Sequence, residues 1–293
     1  MKTQTLTPVS ASVGALPRRI GLFLLILAIG WLVFGVFSHY FPFFSRSNDI
    51  VGRMVTAAAL AALAARRSER WNRYWVIPFA YFTAIMAISV DYYLGLSQWL
   101  LPALGIIQKS PAGLAINKLE SSLLGIVVVL ALTGLSGQKL ESLYIRRGNL
   151  RLGLLVGLAA WVIMLVFLIP VTESSFNGQN LSWGRILPWT PWILIMVLSN
   201  AANEELIFRG LLIGKLEPIF ERLATNLVTT IPFVVMHAGN DYMTDTFVFF
   251  ALQLLPLSLA WCWLMQKSNS IWGSLLFHAA MDIPIFVGIF SQL

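Results

Sequence analysis

The chain has 293 residues, of which 58% are hydrophobic and only 11% are charged. A soluble domain carries about 25% charged residues, so this composition excludes an ordinary soluble globule and points to a polytopic α-helical membrane protein. The net charge of +7 is read as basic loops touching anionic headgroups, with no nucleic-acid partner. A single cysteine, Cys262, excludes an intrachain disulfide and a cysteine metal cluster and is expected to be a lipid-facing or core thiol.

Nine apolar spans are predicted in chain order, near 20–40, 51–65, 74–96, 115–136, 151–171, 188–212, 224–240, 246–265 and 270–290. Arg18 and Arg19 precede a first run that is too long for a signal h-region, so it is expected to be a transmembrane helix and not a cleaved signal. Basic residues gather in alternate loops. Arg66, Arg67, Arg70 and Arg73 follow the second span, Lys139, Arg146, Arg147 and Arg151 the fourth, Lys215 and Arg222 the sixth, and Lys267 the eighth. The positive-inside rule then places the N-terminus in the cytoplasm and the C-terminus outside. Trp71, Tyr74, Trp75, Trp183, Trp189 and Trp192 fall near span ends and read as the interfacial belt. The mixed stretch 214–223 is expected to be a short interfacial helix or an ordered loop.

The sixth span contains Asn203-Glu204-Glu205-Leu206-Ile207-Phe208-Arg209-Gly210. Each such charge at the centre of a membrane helix costs roughly 2.5–3.5 kcal/mol, so an intramembrane ionisable group is a functional-site hypothesis by default. On an α-helix Glu205 and Arg209 share a face and can neutralise each other, which leaves Glu204 without a local partner. A helix-end salt bridge explains only the first of these carboxylates. The chain has three histidines. His39 stands at the aromatic end of the first span and reads as interfacial. His237 follows Phe233 by one turn, and Asp282 follows His278 by one turn. Taken together, Glu204, His237, His278 and Asp282 could activate a water and stabilise an oxyanion. Histidines and carboxylates are also zinc ligands, and spacing alone leaves a divalent metal open. If the seventh span starts near 224, His237 stands about 10 Å too far toward the outer side to meet Glu204. The Gly134-Leu135-Ser136-Gly137 string matches a serine-protease pattern, but it falls at the end of the fourth span and reads as a helix C-terminus.

Glu204-Glu205-x-x-x-Arg209, Phe233-x-x-x-His237 and His278-x-x-x-Asp282 resemble the three ordered motifs of the CPBP family. That family includes the type II CAAX prenyl proteases and bacterial proteins named for bacteriocin processing or Abi. The resemblance covers about residues 190–290. It implies an all-α bundle of about eight or nine transmembrane helices around an intramembrane polar site, and an intramembrane endopeptidase. Members of the family have been described as metalloproteases; the reading favoured for this chain is a glutamate-activated water with no cofactor, and a bound divalent metal such as zinc stays open. By that analogy Glu204 activates the water and His237 positions it. Glu205, Arg209 and Phe233 support the first two motifs, and His278 with the residue at 282 stabilises the oxyanion. The family commonly has Asn where this chain has Asp282. A protonated Asp could donate to an oxyanion, and an ionised one would instead orient His278. Residues 1–150 are then expected to supply spans outside the resemblance, and 151–293 the catalytic core. The implied partners are a membrane-associated protein or peptide substrate and the bilayer. The implied location is multi-pass in a bacterial cytoplasmic membrane. The alternative is a non-catalytic membrane protein for binding, immunity or transport that uses the same buried polar groups.

Overall fold

A computed structural model describes residues 16–37, 44–66, 71–237 and 249–293. His39, Arg67, Arg70, Asp241 and Asp245 lie outside the described residues. The protein is an all-α polytopic membrane protein, with helices and no strands among the described residues. That follows from the composition. In lipid every backbone N–H and C=O needs an internal partner, and a helix supplies it within one segment.

The helices are α1 (Leu16–Gly30), α2 (Arg46–Ala65), α3 (Val76–Leu94), α4 (Ser97–Ala103), α5 (Pro111–Leu135), α6 (Leu150–Ser175), α7 (Thr190–Glu204), α8 (Arg222–Met236), α9 (Leu255–Ser268) and α10 (Ile271–Ser291). Three of them run on or begin in π-helical turns. Trp31–Val36 extends α1, Glu205–Ile213 extends α7, and Phe249–Leu254 leads into α9. Among the described residues, seven helices are long and apolar enough to cross a membrane. The other two apolar runs of the sequence are α7 with its extension, which carries the charges of the first motif, and α8, which is a 15-residue helix.

Local chemistry sets several boundaries. Ser110 caps α5 by accepting from the Gly113 N–H at 3.1 Å, with Pro111 at the first helical position. Asn149 caps α6 in the same way through the Leu152 N–H at 3.1 Å. Asn269, at φ 55°, turns the chain out of α9. The α9–α10 turn is then locked to the 144–149 loop. The Asn149 N–H donates to the Ser268 carbonyl at 2.6 Å, and the Ser270 hydroxyl donates to the Arg146 carbonyl at 2.7 Å. Gly148, at φ 50°, lies where a Cβ would meet the Ser268 and Asn269 carbonyls at 2.4 Å, so only glycine fits.

α10 is the most enclosed of the seven long helices, with 61% of its apolar window buried against 17–41% in the others. It packs against α6 at Gly153 and Gly273, where a Cβ on Gly273 would stand 2.5 Å from the Gly153 Cα. α7 packs on α5 where Asn203 lies over Gly125. One apolar core gathers around Phe34, Phe208, Phe233 and Trp261, and a second around Met196, Val197, Ala279 and Val287. The polar residues of α7 and α10 lie between the two. Cys262 is fully buried in the first core, so it is a core thiol and not a lipid-facing one.

The stretch after the first motif differs from the expected interfacial helix. The helix runs on through Gly214–Leu216, and Lys215 and Leu216 are buried, 3% and 0% exposed. Lys215 is drawn in because its ammonium donates to Gln138 and, at 2.6 Å, to the Ser142 hydroxyl. This longer helix also removes the depth problem of His237. Glu204 stands about 18 Å from the helix end at Leu216, and His237 about 22 Å from the start of α8 at Arg222.

Candidate active site

Glu204 is the last residue of α7, and Glu205 opens the π-helical extension. Such local widening of a helix occurs frequently at functional sites. The two carboxylates have different surroundings, as the sequence suggested. Glu205 is fully buried. Its Oε1 lies 3.2 Å from Arg209 Nη1 and accepts from His278 Nδ1 at 2.9 Å. The Arg209 contact is an ion pair and not an aligned hydrogen bond, because Nη1 satisfies no hydrogen-bond geometry among the described residues. Arg209 Nη2 donates to the Ser258 hydroxyl at 2.7 Å. The guanidinium also sits 4.3 Å from the Phe233 ring centroid and 5.1 Å from that of Trp261. A buried cation is tolerable where a counter-charge, a hydroxyl and aromatic faces surround it.

Glu204 instead faces a cavity of about 810 Å³, whose wall also carries Asn200, His237, His278, Asp282 and Lys118. Its Oε2 lies 3.5 Å from His278 Nε2 and 3.9 Å from His237 Nε2. That oxygen accepts no hydrogen bond among the described residues.

The ring nitrogens can be assigned from their partners. His237 Nδ1 is 2.8 Å from the Phe233 carbonyl, an acceptor, so Nδ1–H donates and Nε2 presents a lone pair to the cavity. Glu204 and His237 are then two acceptors at 3.9 Å, a spacing suited to sharing a donor such as water. His278 Nδ1–H donates to Glu205. Its Nε2 points between Glu204 Oε2 and Asp282 Oδ1, each at 3.5 Å. Two carboxylates flanking one ring nitrogen are accommodated when at least one proton is shared among the three groups. Trp261 stacks on the His278 ring with centroids 4.0 Å apart and planes within 9°, which fixes its orientation.

The four proposed catalytic residues thus meet at one place, and Glu205, Arg209 and Phe233 lie directly behind them. Phe233 does more than mark the second motif. Its ring carries Arg209 on one side and touches His237, with centroids 4.6 Å apart. The serine string lies elsewhere. The Ser136 hydroxyl donates to the Thr133 carbonyl at 2.7 Å and closes the C-terminus of α5.

Sequence reasoning missed Asn200, whose Nδ2 donates to Asp282 Oδ2 at 2.8 Å. It also missed Lys118, Ser258 and Trp261. The signal for Asn200 was its position four residues before Glu204, on the same helix face. The other three stand on α5 and α9, which the motifs do not touch. Among the described residues, no three His, Cys, Asp or Glu side chains are arranged to hold a metal ion.

Residues 186–284 match the family model described as type II CAAX prenyl endopeptidase Rce1-like. The match covers about a third of the chain and contains all three motifs. No curated protein and no solved structure matches the chain.

Proposed function

Because residues 186–284 are of the type II CAAX prenyl endopeptidase family, we propose that the protein hydrolyses a peptide bond of a membrane-associated protein or peptide through water activated by Glu204. One observation carries the reading. Glu204 stands in the wall of the cavity and has a buried oxygen that accepts no hydrogen bond from the described residues, with His278 at 3.5 Å and His237 at 3.9 Å from it.

The chemistry follows from the partners. A water between Glu204 and His237 donates one proton to each, which aims its lone pair at a carbonyl entering the cavity. Glu204 takes the proton as the water oxygen bonds to the carbonyl carbon, and later returns it to the leaving amine. His278 Nε2–H, held by Glu205 behind it and by Trp261 beside it, donates to the developing oxyanion. Asp282 orients and charge-balances His278, and Asn200 holds Asp282. This assigns Asp282 the orienting role and not that of oxyanion donor, since its Oδ2 accepts from Asn200 and its Oδ1 faces the His278 nitrogen. The remaining wall is largely apolar, with Phe249, Leu252, Leu257 and Phe286 among its residues. Such a wall suits a substrate segment delivered from the bilayer.

The test starts from cells carrying Glu204→Gln in place of the wild type. One or more membrane-associated proteins are expected to accumulate uncut and to be cleaved when wild-type protein is restored. An unchanged membrane proteome would contradict the reading. The proposed mechanism is metal-free. Purified protein is expected to retain activity after chelation, and one zinc per chain with loss of activity on chelation would overturn that part.

A further inference from the structure

A second groove, of about 780 Å³, opens between α1, the ends of α2 and α3, and the turn at 217–221. It lies at the end of the bundle where the basic loops gather, away from the catalytic cavity. Its lining includes three arginines, Arg18, Arg19 and Arg73, and no acid. Below them the walls are apolar, with Leu22, Ile29 and Leu60 among the residues.

The arginines are only partly engaged. Arg18 is exposed and has no ion-pair or hydrogen-bond partner among the described residues. Arg19 meets Glu221 at 3.8 Å, with both side chains at least half exposed. Arg73 donates one Nη2 bond to the Pro218 carbonyl at 3.3 Å, and its other N–H groups have no partner among the described residues. Trp71 is pinned at the rim by donating to the Leu63 carbonyl at 2.9 Å, and Tyr74 stands beside it with ring centroids 6.3 Å apart. These two aromatics read from the sequence as belt residues, and they also form one wall of this groove.

We propose that this groove binds an anionic phospholipid, with its phosphate held between Arg18 and Arg73 and an acyl chain lying on the apolar wall. The three guanidiniums, opposed only by the exposed Glu221 beside Arg19, attract a net negative headgroup and repel the choline of a zwitterionic one. The apolar walls select a lipid over free phosphate, because inorganic phosphate would leave them uncovered. The proposal is independent of the catalytic reading.

The test uses the full chain in detergent, stripped of lipid and titrated with phosphatidylglycerol, phosphatidylcholine or inorganic phosphate, with retained ligand read by native mass spectrometry. One phosphatidylglycerol per chain is expected, retained roughly tenfold better than phosphatidylcholine, with no phosphate adduct. The Arg18→Gln/Arg73→Gln variant is expected to lose that preference. Leu63→Trp, which fills the apolar part without changing charge, is expected to lower retention, and it carries the test if the arginine variant fails to fold. Arg151→Gln/Lys267→Gln removes exposed basic residues elsewhere at the same end and is expected to retain lipid like the wild type. Equal retention of the two lipids, displacement by phosphate, or equal losses in the two double variants would overturn the proposal.

Discussion

At the scale of single residues, the two adjacent carboxylates divide their work through burial and partners. Glu205 is enclosed by Arg209 and His278, and it keeps a costly charge inside the bundle by sharing it. Breaking that pair from one side leaves an uncompensated buried charge. Arg209→Leu is therefore expected to destabilise the protein by about 3–5 kcal/mol. Thermal melting in detergent checks this, with Arg209→Leu/Glu205→Leu expected to recover part of the loss. Asn200 acts one step further back. Asn200→Ala removes the amide that holds Asp282 Oδ2 and is expected to lower the cleavage rate while leaving substrate affinity unchanged, which separate kcat and KM measurements test. Much of this site was legible, because charges inside an apolar run are conspicuous and Glu205 with Arg209, like His278 with Asp282, stand four residues apart. Asn200 was not legible, since a neutral amide in a helix has many ordinary explanations and its partner lies 82 positions away.

At the scale of elements, the position of the site depends on where helices start and how closely they pack. The apolar runs of the sequence correspond to helices, but their ends moved. The sixth run continues to Leu216 because Lys215 finds Gln138 and Ser142 in a distant loop. Hydropathy alone stops the run earlier, at the charge, and so misplaced His237. The π-helical turns after Glu204 were also not legible, since they depend on tertiary packing and not on local preference. Close packing of α6 on α10 was legible in principle. Gly153 and Gly157 are four apart in an apolar helix, a pattern that lets backbones approach. Both face α10, at Gly273 and Leu276. Because α10 carries His278 and Asp282, Gly273→Leu is expected to force the two helices apart. Activity and melting temperature should fall together, whereas Gly134→Leu, where a Cβ meets nothing within 4 Å, should leave both near the wild type.

At the scale of the whole molecule, the polar site lies where α7, α8 and α10 meet, and the 136–149 loop packs on the far end of the helical extension at Gly214 and Lys215. Lys215 reports on that packing, since it stands past the predicted sixth span, which ends near 212, and meets Gln138 and Ser142 of the loop. Burial pushes its ammonium down from the usual lysine value to about 8. Between about 8 and 10.4 the unfolded chain then holds a proton that the folded chain has released, so stability rises with pH across that window. Melting temperature measured from pH 7.5 to 10 is expected to show this rise, and Lys215→Met is expected to flatten it. The three motifs come from α7, α8 and α10, and only the assembled bundle brings Glu204 within 4 Å of both His237 and His278.

In the proposed mechanism Glu204 supplies the base. Cleavage of a membrane-anchored substrate in proteoliposomes tests it most directly, with the wild type, Glu204→Gln and Ser136→Ala reconstituted at equal density. Full activity is expected for Ser136→Ala. For folded Glu204→Gln a loss of at least about 100-fold is expected. Near wild-type cleavage by Glu204→Gln would contradict it.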